Sequence, residues 1–103
     1  MPEIALSELL RKMIEHGGSD LHITTNSAPM VRVHGILRPL EYQELTPAET
    51  KQLSYSVLTD AQKHRFEETL ELDFSFGIKG LSRFRANIFN QRGAVGAVFR
   101  SIP

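Results

Sequence analysis

The sequence has 103 residues, with twelve lysines and arginines against twelve aspartates and glutamates. That balance argues against a nucleic-acid-binding or membrane-coating protein, which would carry a clear basic excess. The absence of cysteine leaves no disulfide framework and no thiolate metal site. No apolar run approaches the roughly 20 residues needed to cross a bilayer.

The length is that of a single domain, burying only about 60–65% of the surface its unfolded chain exposes. Met1-Pro2-Glu3-Ile4 has neither a basic n-region nor an apolar h-region, so a soluble cytoplasmic domain is expected. Ser101-Ile102-Pro103 ends the chain within strand-like chemistry, which reads as a cut at a linker.

Leu6, Leu9, Leu10, Met13 and Ile14 recur at helical spacing, and His16-Gly17-Gly18 supplies a stop. Ser19 to Thr25 then alternates, Leu21 and Ile23 on one face and Asp20, His22 and Thr24 on the other. Asn26 to Pro29 is turn chemistry. Met30 to His34 alternates again, Val31 and Val33 opposing Arg32 and His34, and a short strand over Ile36 to Leu40 is limited by Pro39. Thr46-Pro47-Ala48-Glu49 starts a helix running to about Leu58. Thr59-Asp60-Ala61-Gln62 repeats the signal for a helix over about 60–68.

From Leu70 to Lys79 the alternation is strict: Leu70, Leu72, Phe74, Phe76 and Ile78 face the core. Strands over Ser82 to Phe89 and Ala94 to Ile102 follow, joined by a loop at Asn90-Gln91-Arg92-Gly93. Helices on one face of an antiparallel sheet make an α+β domain, PAS-like in outline, over residues 1–103.

The last hairpin carries the most informative chemistry. With that loop, or a two-residue loop at 91–92, Phe89 or Asn90 closes the hairpin and Arg83 falls opposite Arg100. Arg85 is then diagonal to Arg100 on the same face. Phe84, Ala86, Ile88, Val95, Ala97 and Phe99 take the other face as core, and Ala94 and Gly96 leave room beside the arginines. Like charges directly opposite destabilise a sheet. The cluster is a solvated sheet face, or it pairs with Glu71 and Asp73 on the neighbouring strand, or it is an anion site, for phosphate above all. Charge pattern alone leaves these open.

Asp20, His22, Arg32 and His34 lie on polar strand faces, but two histidines without a third firm ligand do not make a zinc site. A polar sheet face or interdomain contact is the simpler reading, and no metal is expected. His16 suits a helix C-terminus, His64 a helix surface, and Glu67-Glu68 a solvated pair. Phe66, Phe74 and Phe76 read as core, with nothing polar converging on them to make a ligand pocket.

Gly17-Gly18-Ser19-Asp20-Leu21-His22-Ile23 followed by Val31-Arg32-Val33-His34-Gly35-Ile36-Leu37 resembles the paired signature of the secretion and pilus motor ATPase superfamily. Glu71 to Phe76, Arg83-Phe84-Arg85-Ala86-Asn87, Phe89 to Gly93 and Phe99 to Pro103 resemble its PilT-type pilus retraction branch. A first helix beginning almost at Met1 favours that branch over extension motors, which usually carry extra N-terminal domains. The resemblance implies the N-terminal domain of a homohexameric motor for pilus retraction and twitching motility. ATP, with Mg, would lie on a RecA-like domain of the same subunit, and this domain would cover it and pack on a neighbour's RecA-like domain. An inner-membrane pilus platform protein is the implied further partner, reached from the cytoplasmic face, with no nucleic acid involved. Arg85 and Arg100 would contact the nucleotide phosphates, with Arg83 adjacent.

The sequence has no G-x-x-x-x-G-K-[ST] loop, and Gly77-Ile78-Lys79-Gly80 lacks the spacing. This chain alone is therefore not expected to hydrolyse ATP or to bind it tightly; the catalytic RecA-like half is expected after Pro103. The alternative class is a PAS-like sensor or interaction module that uses the same arginines on an acidic partner.

Overall fold

The computed structural model describes residues 4–103; the reading of Met1, Pro2 and Glu3 as lacking an export signal lies outside them. Three helices, α1 (Leu6–Glu15), α2 (Pro47–Tyr55) and α3 (Asp60–Thr69), accompany six strands. The strands are β1 (Asp20–Ile23), β2 (Met30–Val33), β3 (Ile36–Pro39), β4 (Glu71–Ile78), β5 (Ser82–Gln91) and β6 (Ala94–Ile102). They form one antiparallel sheet in the order β3-β2-β1-β6-β5-β4. This is the expected α+β class.

The helix boundaries follow from their caps. Both α2 and α3 open with complete capping boxes, Thr46 with Glu49 and Thr59 with Gln62. The first helix ends in a Schellman motif: Gly17 takes φ +71°, its N–H reaches Ile14 O at 3.0 Å, and Gly18 N–H reaches Met13 O at 2.8 Å. Thus the His16-Gly17-Gly18 stop forms as expected. The second helix ends at Tyr55 rather than near Leu58, because a turn over Ser56-Val57 leads into the Thr59 cap.

One face of the sheet is the core. Leu21, Ile23, Phe84, Ile88, Ala97 and Phe99 are buried there with Leu9, Leu10 and Met13 of α1, Leu53 of α2 and Phe66 of α3. Phe76 packs on Phe74, Phe84 and Phe99 at ring-centroid distances of 5.8, 5.6 and 6.0 Å. These rings fill the interior with one another, as aromatic cores do.

Leu70 departs from the strand pattern. It caps α3 in the left-handed region (φ 63°) and is 51% exposed, so β4 starts one residue later. The alternation of Leu70 with Leu72 was real, but a helix C-terminus needs a left-handed residue more than this core needs another leucine. Among the described residues, no helix is long and apolar enough to cross a membrane.

Candidate functional site

The β5–β6 hairpin closes through a two-residue turn, Arg92-Gly93, with φ 54° and 81°. Both positive values define a type I′ turn, whose twist matches the flanking strands. Asn90 Oδ1 accepts the Gly93 N–H at 3.2 Å. The loop lies two residues tighter than a 90–93 loop, so the register moves by two. Arg85, not Arg83, stands directly opposite Arg100, and Arg83 stands opposite Ile102. A shift of two keeps every side chain on its face. The arginines therefore share the open face as expected, with the direct and diagonal partners exchanged.

Arg83 also leans the other way. It pairs with Gly77 on β4, and its Nη1 lies 3.1 Å from where a Cβ on Gly77 would sit. The glycine gives the guanidinium a floor to lie on, away from Arg100. The cluster of three is thus a facing pair, Arg85 and Arg100, with Arg83 one rung away.

The pair belongs to a longer polar rung. Arg32 of β2 pairs with Asp20 of β1, Asp20 with Arg100 of β6, Arg100 with Arg85 of β5, and Arg85 with Ser75 of β4. Register partners project from the same face. The Asp20 side chain is only 8% exposed, and it is held from both sides. Arg100 Nε donates to Oδ1 at 3.3 Å and Arg100 Nη2 to Oδ2 at 3.4 Å. Arg32 Nε stands 3.7 Å from Oδ2, while Arg32 Nη1 donates to Gly35 O at 3.0 Å. A buried carboxylate costs several kcal/mol of desolvation unless it is paired and hydrogen-bonded; two guanidiniums meet that requirement.

Electrostatically, the rung carries three positive charges and one negative. Arg100 keeps 69% of its side chain exposed, and its Nη1 edge takes no part in the Asp20 contact. Arg83 and Arg85 make no ion pair among the described residues. The pairing with Glu71 and Asp73 considered from the sequence does not form. Glu71 lies opposite Phe89, and Asp73 lies opposite Asn87, accepting its Nδ2–H at 2.9 Å. Neither acid shares a rung with an arginine.

Beside Ala94 and Gly96 a cavity of about 370 Å³ opens, lined also by Thr24, Asn26, Pro47 and Arg92, but the space directly over Gly96 is filled. Phe89, its cross-strand partner, lays its ring over the glycine, with Cε2 2.8 Å from where a Cβ would be. Ala94, opposite Gln91 at the hairpin end, is one same-face rung further from the arginine pair.

His22 is two residues beyond Asp20 on the same face, between Met30 and Val98. Its Nε2 is buried without a hydrogen-bond partner. Burial lowers its pKa below the ordinary 6.5, with Asp20 pulling upward and Arg32 pushing down. His34 does not join this face; it forms the exposed β2–β3 turn with Gly35 at φ 50° and 79°. No three potential metal ligands converge among the described residues.

No protein-family model matches the chain. Curated relatives do. The chain is 44% identical over 98 residues to the type IV pilus retraction ATPase PilT of Pseudomonas aeruginosa, covering 95% of this chain and 28% of that protein. It is 39% identical to the type IV pilus ATPase PilU of the same organism, over 92% of this chain and 25% of the relative. A twitching motility protein of Neisseria gonorrhoeae is 41% identical over 73% of this chain and 20% of its own length. The chain therefore spans about a quarter of the curated relatives it matches.

Among solved structures, that of the pilus retraction motor PilT with bound ADP superposes with a TM-score of 0.92 at 43% identity, over 98% of this chain and 30% of the other. The ATPase DotB of Legionella pneumophila shares the fold, with a TM-score of 0.81 at 19% identity over 100% of this chain and 30% of that one. In sequence and in fold, this chain is a homologue of the N-terminal domain of PilT-type pilus retraction ATPases.

Proposed function

We propose that this chain is the N-terminal domain of a homohexameric, ATP-driven motor that retracts type IV pili and so powers twitching motility. It covers ATP bound with Mg on a RecA-like domain of the same subunit, and Arg85 and Arg100 contact the phosphates. The observation that carries this reading is the facing pair: two guanidiniums directly opposite on an open sheet face, with free N–H donors and a net positive rung around them. A polyanion relieves their repulsion and meets planar forks suited to its oxygens. The likeness to an ADP-bound motor makes nucleotide the favoured polyanion.

Phosphate binding and hydrolysis then divide between domains. A P-loop, the metal ligands and the water-activating group belong to the RecA-like domain, and this domain adds charge stabilisation from above. It packs in addition on the neighbouring subunit's RecA-like domain. The assembled motor is cytoplasmic, peripheral at the inner membrane, where a pilus platform protein receives it.

The test is ATP turnover in the full-length motor bearing Arg85→Ala or Arg100→Ala. Loss of one charge-stabilising donor lowers kcat on the order of 10²-fold. Wild-type turnover in both variants would remove the assigned role.

A further inference from the structure

The geometry points to Asp20 as the positioning residue that aims Arg100 at the phosphate, an inference that rests on the nucleotide-facing reading above. Arginine has five N–H donors in a rigid plane. Asp20 engages Arg100 through the Nε–Nη2 edge, at 3.3 and 3.4 Å. The Nη1 group, and the second hydrogen on Nη2, remain directed elsewhere. A guanidinium held along one edge by a carboxylate can present the adjacent edge to a phosphate without rotating. An unheld arginine that is 69% exposed would instead sample many rotamers and lose that freedom on every binding event.

Asp20 is suited to this because it is itself fixed. It is buried to 8% exposure and sits on a central strand paired on both sides. Arg32 reaches it from the far side at 3.7 Å, and Arg32 is tethered to the β2–β3 turn through Gly35 O. The order along the rung is turn carbonyl, Arg32, Asp20, Arg100, with Arg85 opposite. The titratable and charged groups on this face near Asp20 are Arg32, Arg100, Arg85 and His22. Asp20 is the one carboxylate among them, so the orientation of Arg100 has no substitute source.

Asp20→Asn keeps the volume but removes the charge that holds both arginines. In the full-length motor, Asp20→Asn lowers kcat about 10- to 100-fold, the cost of misplacing a group by about an ångström, with nucleotide KM changing less than kcat. Asp20→Asn added to Arg100→Ala causes no further loss, since the residue acts through that arginine. Asp20→Glu recovers part of the activity. In the 103-residue chain, the Arg100 Nε–Hε NMR signal is protected from water exchange in the wild type and loses that protection in Asp20→Asn, with backbone spectra otherwise retained. If Arg100→Ala lowers kcat but Asp20→Asn does not, or if the two losses multiply, the positioning role is wrong while the phosphate reading survives. If Arg100→Ala itself has no effect, the phosphate reading fails first.

Discussion

Gly96→Ala, made with and without Phe89→Ala, isolates the packing that covers the sheet beside the arginines. A Cβ at position 96 would stand 2.8 Å from Phe89 Cε2 and 3.0 Å from Cζ, with Ile23 O at 3.4 Å. The ring must withdraw until its contacts exceed about 3.4 Å, and overpacking of this kind costs about 1–3 kcal/mol. Against this, replacing a strand-interior glycine by alanine recovers about 0.5–1 kcal/mol of backbone entropy. The net effect in the wild-type background is a loss of about 1 kcal/mol. With Phe89 truncated the clash is gone and only the entropy remains, so the same change stabilises by about 0.5 kcal/mol. Urea unfolding of the four chains gives the coupling energy, expected at about 1.5 kcal/mol. Additivity within about 0.5 kcal/mol, the usual scatter for independent sites, would refute the claim that the ring occupies the space over the glycine.

Leu70→Gly should stabilise the chain by about 1 kcal/mol in thermal unfolding, because the leucine holds φ 63° while half exposed and a glycine adopts that cap without strain. Tyr42 should titrate late. Burial first, then its hydrogen bond to Glu8 and that residue's charge, raise its phenol to about 12. Its stabilising contribution is complete below pH 10 and is lost as pH rises through about 12; phenolate absorbance should show the late step, and Glu8→Gln should move it down. His22, lowered chiefly by burial, contributes stability that is present above its ordinary 6.5 and lost as pH falls through its folded value. Asp20→Asn removes the one group raising it, so an NMR titration should find the His22 pKa lower still in that variant.

Much of the fold was legible because its signals are local. The Thr46 and Thr59 capping boxes, the Gly17 stop and the alternation from Leu72 to Ile78 each lie within a few residues of chain, and each forms. The shared face of Arg83, Arg85 and Arg100 was legible too, since period-two alternation survives any register error of two. The direct pairing was not, because Arg-Gly and a longer loop close the hairpin with similar sequences, and only the two positive φ values choose between them. The left-handed turn at Leu70 is not legible, because a hydrophobic pattern does not reveal which residue must adopt it. The Asp20–Arg100 contact was out of reach for a different reason: its partners are 80 residues apart. Asp20 was visible on a polar face, but nothing in its own segment names β6 as its neighbour.

The strand order β3-β2-β1-β6-β5-β4 places two local meanders side by side, joined only where the first strand meets the last. Each half has short connections and can pair early, whereas the seam between them closes a loop spanning most of the chain and carries the entropic cost of doing so. Arg85 and Arg100 come from one half and Asp20 and Arg32 from the other. The C-terminal meander could thus fold with its arginines facing one another and still lack their orientation. The complete rung exists only after the seam has zipped, so a partly folded chain holds Arg85 and Arg100 face to face without the Asp20 contact that fixes the Arg100 edge.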